Sequence, residues 1–295
     1  DKVKCIKTKY TGKGISIAFI DTGICKNNDF DSRIKCFYDV VNHKNYVYDD
    51  CGHGTHVAGI CSGSGANSNG KYRGIAPESN IVMIKALDFE GKGTASDVLT
   101  GIQWIADNCK KYNIRILNMS IGAGITNTKD PLVRAAEILW DMGIVVVAAA
   151  GNNGPQKGTI SSPGISKKII TVGSVDDINV SENDIGKSYS GRGPTKECVI
   201  KPDVVAPGTN IISCLCEDNK SNNYYKSLSG TSMSTPIVSG AIALLLEKAP
   251  DLKPDDIKFM LKQSCHNLEC SPNRQGWGLL DIENLLNREV VYVRK

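Results

Sequence analysis

The chain has 295 residues, of which 41% are apolar and 22% charged, with a formal net charge of +4. That balance describes a folded globular protein, and no lysine–arginine run or aromatic-basic stripe points to nucleic acid. The longest apolar runs, 144–150 and 241–246, fall far short of the ~20 residues that span a bilayer, so no membrane partner is expected.

Apolar β-branched runs alternate with helical stretches in chain order, which predicts an α/β protein: a mostly parallel central sheet with helices on both faces. The candidate strands are 15–20, 81–85, 114–119, 144–149, 169–172 and 211–214. A helix is expected over 96–110, with Val98, Ile102, Ile105 and Ala106 as its apolar stripe. Asp130 reads as the cap of a second helix, with Pro131 at its first position and an apolar face through Val133, Ala136 and Leu139 to Trp140. A third starts at Ser232 and stops before Pro250, and a fourth covers 254–265. Pro236 is placed near the start of its helix, where the missing N–H costs little. No repeat, linker or low-complexity tract divides the chain, and a single domain over 1–295 can bury about three quarters of its unfolded surface.

Eleven cysteines are an odd count that cannot all pair within one chain. A core of this size does not need a dense disulfide framework, so the cysteines are expected to be reduced and the location cytoplasmic. The first residues carry no apolar signal core, yet the chain begins with Asp1. Secretion after removal of a leader and prosegment is therefore the alternative. Cys214 and Cys216, two apart in an apparent strand, should face the same side. Cys265, His266 and Cys270 form a single cluster without the second ligand pair of a zinc site.

Three short stretches carry chemistry: Ile20-Asp21-Thr22-Gly23, His53-Gly54-Thr55-His56-Val57-Ala58-Gly59 and Gly230-Thr231-Ser232-Met233-Ser234-Thr235-Pro236. An unaided serine is a poor nucleophile; an imidazole must take its proton, and a carboxylate must fix the imidazole's tautomer and stabilise its cation. Asp21 follows an apolar strand at the sheet edge where ligands gather in open α/β sheets. His53 opens a glycine-rich helix start. His56 stands three residues on, the wrong spacing for a zinc protease helix, and reads as a packing histidine. Ser232 sits where a loop meets a helix, with backbone N–H groups and the positive end of a helix dipole nearby.

At these residues, in the chain order Asp, His, Ser, the sequence resembles the subtilisin-like serine protease family. Ala148-Ala149-Ala150-Gly151-Asn152-Asn153-Gly154 resembles its oxyanion-hole segment, and Lys201-Pro202-Asp203-Val204-Val205-Ala206-Pro207-Gly208 the strand and turn before its serine. Tyr72-Arg73-Gly74-Ile75-Ala76-Pro77, Asp130-Pro131-Leu132-Val133-Arg134-Ala135-Ala136 and Ser162-Pro163-Gly164 are similar to its intracellular, AprX-type branch. The similarity runs from about Gly14 to about Asp281.

The resemblance implies a three-layer subtilisin-like fold and a serine endopeptidase acting through an acyl-enzyme. It implies catalytic Asp21, His53 and Ser232, with the Asn152 amide as oxyanion donor rather than Asn153. Gly91, Lys92 and Gly93, and Ser120, Ile121 and Gly122, become edges between which a peptide lies as an added strand. Ala149, Ala150 and Gly151, with Ser161 across from them, are implied to line the primary specificity pocket. Ser161 stands where some relatives carry glycine, so a narrower or more polar floor is expected. Protein or peptide substrates follow as partners. Relatives also use an N-terminal prosegment, and none is visible before Asp1. The chemistry requires no cofactor. Several relatives bind structural calcium through the loop after the histidine helix; here residues 63–73 contain neither Asp nor Glu, and the metal is unassigned. An esterase would instead show Gly-x-Ser-x-Gly with acid and histidine both after the serine. A silent homologue would lack a triad member, and none is missing.

Overall fold

The computed structural model describes residues 8–124, 127, 129–176, 188–216 and 223–293. Among these, seven strands form a parallel sheet: β1 (Ser16–Asp21), β2 (Ile34–Asp39), β3 (Asn80–Lys85), β4 (Ile114–Met119), β5 (Val145–Ala149), β6 (Ile170–Ser174) and β7 (Val204–Ala206). Their order is β2-β3-β1-β4-β5-β6-β7. The chain runs outward on one side of β1 and then returns to build on the other. The strand order therefore reverses between β1 and β4, and a crevice opens at their carboxyl ends. Asp21 ends β1 and Ser120 directly follows β4, so both lie at that crevice.

Helices cover both faces. On one face α1 (His53–Ser62) packs against β1, β3 and a later helix. On the other, α2 (Ala95–Asn108) packs on β1 and α3 (Pro131–Asp141) on β5. The later helix, α4 (Thr231–Lys248), crosses β4 to β7 and is buried over nearly its whole length. Three more complete the set: α5 (Pro254–Ser264), α6 (Pro272–Gln275) and α7 (Ile282–Asn287). The six expected strands and four expected helices all exist within two residues of the anticipated bounds. The Asp130 cap is present, its side chain accepting from the Leu132 N–H at 2.9 Å. No helix among the described residues is long and apolar enough to cross a membrane.

Three features depart from expectation. First, residues 211–214 do not join the parallel sheet. As β8 (Ile211–Cys214) they pair antiparallel with β9 (Tyr225–Leu228) in a separate ribbon over α1. Only Ser213 and Cys214 of β8 are buried, so the strand lacks the two-sided cover of a central position. Edge strand β2 escapes sequence reading because it is half exposed, whereas β7 falls within the 201–208 strand and turn that the resemblance implied.

Second, Pro236 is the sixth residue of α4, past the free N–H groups of a first turn. Its missing N–H deprives the Ser232 carbonyl of a helical donor, and the Ser120 hydroxyl supplies one at 2.9 Å. Asn118 in turn donates to that hydroxyl at 2.9 Å, and Ser239 donates to Asn118 at 2.8 Å. A buried polar chain thus fastens the start of α4 to the end of β4.

Third, the reduced state expected for the cysteines does not hold for Cys25 and Cys216, which form a disulfide across 191 positions of sequence. Cys214 and Cys216 do face the same side, toward α1: Cys214 lies against Gly59, and Cys216 lies 3.4 Å from the Thr55 hydroxyl.

Candidate active site

His53 is the first residue of α1, and its position is set by a carboxylate that the sequence reading missed. Gly52, the cap residue of α1, has no side chain to satisfy the free N–H groups. Asp49 does so from the preceding turn. One oxygen accepts from the N–H groups of Cys51 (3.2 Å) and Gly52 (2.8 Å) and from the Thr22 hydroxyl (2.8 Å). The other accepts from the Thr55 N–H (2.9 Å) and hydroxyl (2.6 Å). Thr22 also accepts from the Gly54 N–H at 2.9 Å, joining the β1 turn to the helix. The available signal was an aspartate three residues ahead of a glycine at a helix start.

Asp21 is fully buried, and one of its oxygens lies 2.7 Å from His53 Nδ1 and 2.7 Å from the Thr22 N–H. Burial alone would lower the His53 pKa. The charge and hydrogen bond of Asp21, with help from the charge of Asp49, outweigh it and hold the imidazolium above its ordinary range. Beneath the pair, the buried Lys85 ammonium donates to the carbonyls of Thr22 (2.7 Å) and Leu87 (2.8 Å) and to Asp50 (2.6 Å). The last residue of β3 thus carries a cation that braces the turn after Asp21.

Ser232 is the second residue of α4. Its hydroxyl donates to the Ser120 carbonyl at 2.9 Å rather than to His53. Both side chains nevertheless line the same cleft, of about 540 Å³. Catalytic hydrogen bonds are often unmade until substrate arrives, and rotation about one torsion frees this hydroxyl from its carbonyl.

Asn152 lies beside the nucleophile: its amide oxygen accepts from the Thr231 N–H and hydroxyl, each at 3.0 Å. That leaves the amide NH2 as its donor end. Asn153 is turned away and donates to Ser161 at 3.1 Å. Gly91, Lys92 and Gly93 on one side and Ser120, Ile121 and Gly122 on the other line the cleft with His53 and Ser232. The first edge stops at Thr94, which with Asp97 forms a capping box at the start of α2. Leu87, Val98, Leu132 and Pro163, none of them anticipated, supply the cleft's apolar wall. The remaining expected residues are not part of it: neither Ala149, Ala150 and Gly151 nor Ser161 lines this space.

The loop after α1 does not fit a bound calcium ion. The buried Asp29 carboxylate already accepts from the Asn67 N–H (3.0 Å), the Tyr225 hydroxyl (2.8 Å) and the Cys214 thiol (3.2 Å). Asn67 Nδ2 donates to Asn27 at 2.8 Å. The Arg33 guanidinium donates to the carbonyls of Ser62, Ser79 and Asp29. Oxygens that a cation would need are thus taken by the chain's own donors, including one fixed positive charge. Among the described residues no group of three or more His, Cys, Asp or Glu gathers as a metal site.

A parallel α/β sheet with a buried acid, an imidazole and a helix-start hydroxyl at its carboxyl edge defines a serine hydrolase. The model of the subtilase family matches residues 12–278, and the chain belongs to that family. It is 45% identical to "Serine protease AprX" of Bacillus subtilis (strain 168), covering 93% of this chain and 66% of that protein. The chain thus spans just under two thirds of the length of that relative. It is 35% identical to "Subtilisin DY" of Bacillus licheniformis, covering 93% of this chain and 91% of the relative. Among solved structures, a cold adapted subtilisin-like serine proteinase matches with a TM-score of 0.73 at 32% identity, over 93% of this chain and 91% of its own. "Sphericase" matches with a TM-score of 0.79 at 27% identity, over 94% of each. In fold and family the chain is subtilisin-like.

Proposed function

We propose that Asp21, His53 and Ser232 act as one catalytic triad that hydrolyses peptide bonds in proteins. The observation that carries this reading is the 2.7 Å pair between buried Asp21 and His53, which opens onto the same cleft as Ser232. Asp21 holds Nδ1 and leaves Nε2 as the base. His53 takes the proton of Ser232 as the hydroxyl leaves Ser120 and attacks the substrate carbonyl carbon. The Asn152 NH2 and the N–H groups at the start of α4 receive the developing oxyanion. His53 then returns the proton to the leaving amine, and water repeats the sequence on the acyl-enzyme. The peptide lies between residues 91–93 and 120–122 as an added strand.

Protein or peptide substrates are the partners, with neither nucleic acid nor membrane. A prosegment that blocks the cleft is proposed on the resemblance alone. No cofactor is required, and the self-satisfied loop after α1 supports calcium independence, so EDTA should leave the melting temperature unchanged. For location, the Cys25–Cys216 disulfide supports the secreted alternative over the cytoplasmic one, because cytosolic thiols are kept reduced.

The decisive experiment is labelling. A fluorophosphonate should modify Ser232, and Ser232→Ala should lose both the label and casein cleavage. Labelled protein that cuts esters but spares peptide bonds would favour an esterase, and native protein that does not label would refute the triad.

A further inference from the structure

The Cys25–Cys216 disulfide lies against the groups that position His53. Cys25 stands four residues after Asp21, on the segment that leaves β1, and Cys216 closely follows β8 of the ribbon. Both meet the Asp49–Thr55 pair that caps α1. The Asp49 carbonyl is 3.6 Å from Cys25 Sγ and 3.4 Å from Cys216 Sγ. The Thr55 hydroxyl is 3.4 Å from Cys216 Sγ and accepts from the Cys25 N–H at 3.0 Å. That same hydroxyl donates to the Asp49 carboxylate at 2.6 Å, whose other oxygen accepts from Thr22, the neighbour of Asp21. The bond therefore belongs to one chain of contacts with Asp21 at one end. At the other end is His53, two residues before Thr55.

Breaking the bond changes what these contacts hold. Two bonded sulfurs fit together against one carbonyl, whereas two thiols must part to van der Waals contact. Each new S–H also needs an acceptor, and the Asp49 carbonyl is in reach of both. The parting sulfurs press on residues 49 and 55, from which His53 takes its place. The ribbon itself stays attached. Tyr225 donates to Asp29 at 2.8 Å, the Ser213 hydroxyl to the His56 carbonyl at 2.8 Å, and Asn27 to the Leu215 carbonyl at 3.1 Å. Both cysteines are half-buried rather than enclosed, so a small thiol can reach the bond.

We infer that the Cys25–Cys216 disulfide is a redox switch on catalysis: oxidised, it fixes His53 for proton transfer, and reduced, it lets the first turn of α1 drift and turnover falls. The reductant is a dithiol or a pair of small thiols. It gives up two electrons and two protons, its own sulfurs join in a disulfide, and Cys25 and Cys216 are left as thiols. Such thiols are held in reducing compartments, so the same chain is slow there and fast where the bond forms. The inference rests on the triad reading and adds its regulation.

The test compares the oxidised enzyme with enzyme reduced by dithiothreitol under native conditions, using a peptide p-nitroanilide, far-UV circular dichroism and a thiol count. Activity is read without alkylation, because the exposed Cys51 also lines the cleft. On reduction kcat should fall about tenfold, part of the ~100-fold that a ~1 Å misplacement can cost, with KM little changed and the protein folded. Reoxidation should restore kcat. Cys25→Ser should run at the reduced rate and ignore dithiothreitol. Reduced protein that is folded, two thiols richer and still at full kcat overturns the inference and leaves the triad intact. Reduced protein that unfolds overturns it too, since the bond is then only a strap. Oxidised protein that a fluorophosphonate does not label overturns the triad and the switch together. If Cys25→Ser does not fold, reversible reduction of the wild type decides alone.

Discussion

His56 gives the sharpest prediction about stability. It is 1% exposed on α1, and its Nε2 lies 2.9 Å from the Lys226 carbonyl and 3.1 Å from that of Ile211, fastening the β8–β9 ribbon to the helix. Its Nδ1 has no partner among the described residues. Burial is the main reason that its pKa falls to about 4 from an ordinary value of 6.5, against carbonyl contacts that favour the cation. The unfolded chain takes up this proton near pH 6.5, and the folded chain does not until about pH 4. Stability present above pH 6.5 is therefore lost as the pH falls through that window. At ~1.4 kcal/mol per pH unit, the gap from 6.5 to about 4 amounts to about 3–4 kcal/mol. His53 does not confuse the measurement. Its folded pKa is raised, so its contribution, fully present below pH 6.5, is lost as the pH rises above that, but both proteins carry it and it cancels between them. The assay is urea unfolding at pH 7 and pH 4.5, followed by tryptophan fluorescence, with Ser232→Ala to prevent self-digestion. Between the two pH values the parent should lose roughly 2–3 kcal/mol more than the His56→Gln variant. Identical pH slopes in the two proteins would refute the reasoning.

Three further outcomes follow. Because His53 must be neutral to act as a base and its pKa is raised, kcat/KM should climb with pH to a midpoint above 6.5, and Asp21→Asn should abolish most of the activity; a midpoint below 6.5 counts against the pair. Asn152→Ala should lower kcat by ~100- to 1,000-fold, the size known for losing this donor in subtilisin, with little change in KM; an unchanged kcat would remove Asn152 from the oxyanion site. Replacing Cys25 and Cys216 by Ser should destabilise the fold by up to about 5 kcal/mol, the chain-entropy value for a loop of 191 positions. A thiol count on unfolded, unreduced protein should fall two short of the eleven cysteines, and a full eleven would show that the bridge does not form.

What could be read from the sequence is whatever a short stretch of chain determines locally. The β-branched runs mark buried parallel strands, Asp130-Pro131 marks a helix start, and the residues around Asp21, His53 and Ser232 mark three turns at one sheet edge. Each of these depends on neighbours within a few positions, so order and spacing were enough. Folding together remote segments decided the rest. Ser120 came to donate to the carbonyl freed by Pro236, 116 positions on, and Asp49 came to cap the helix of His53 while binding Thr22. Cys25 reached Cys216, and β8 left the sheet for β9. The sequence determined which groups can do the chemistry, because side-chain type and local backbone suffice for that. Only the tertiary structure decided which hydroxyl, carboxylate or disulfide lies against them, because distances of a few ångströms between distant segments are set by packing.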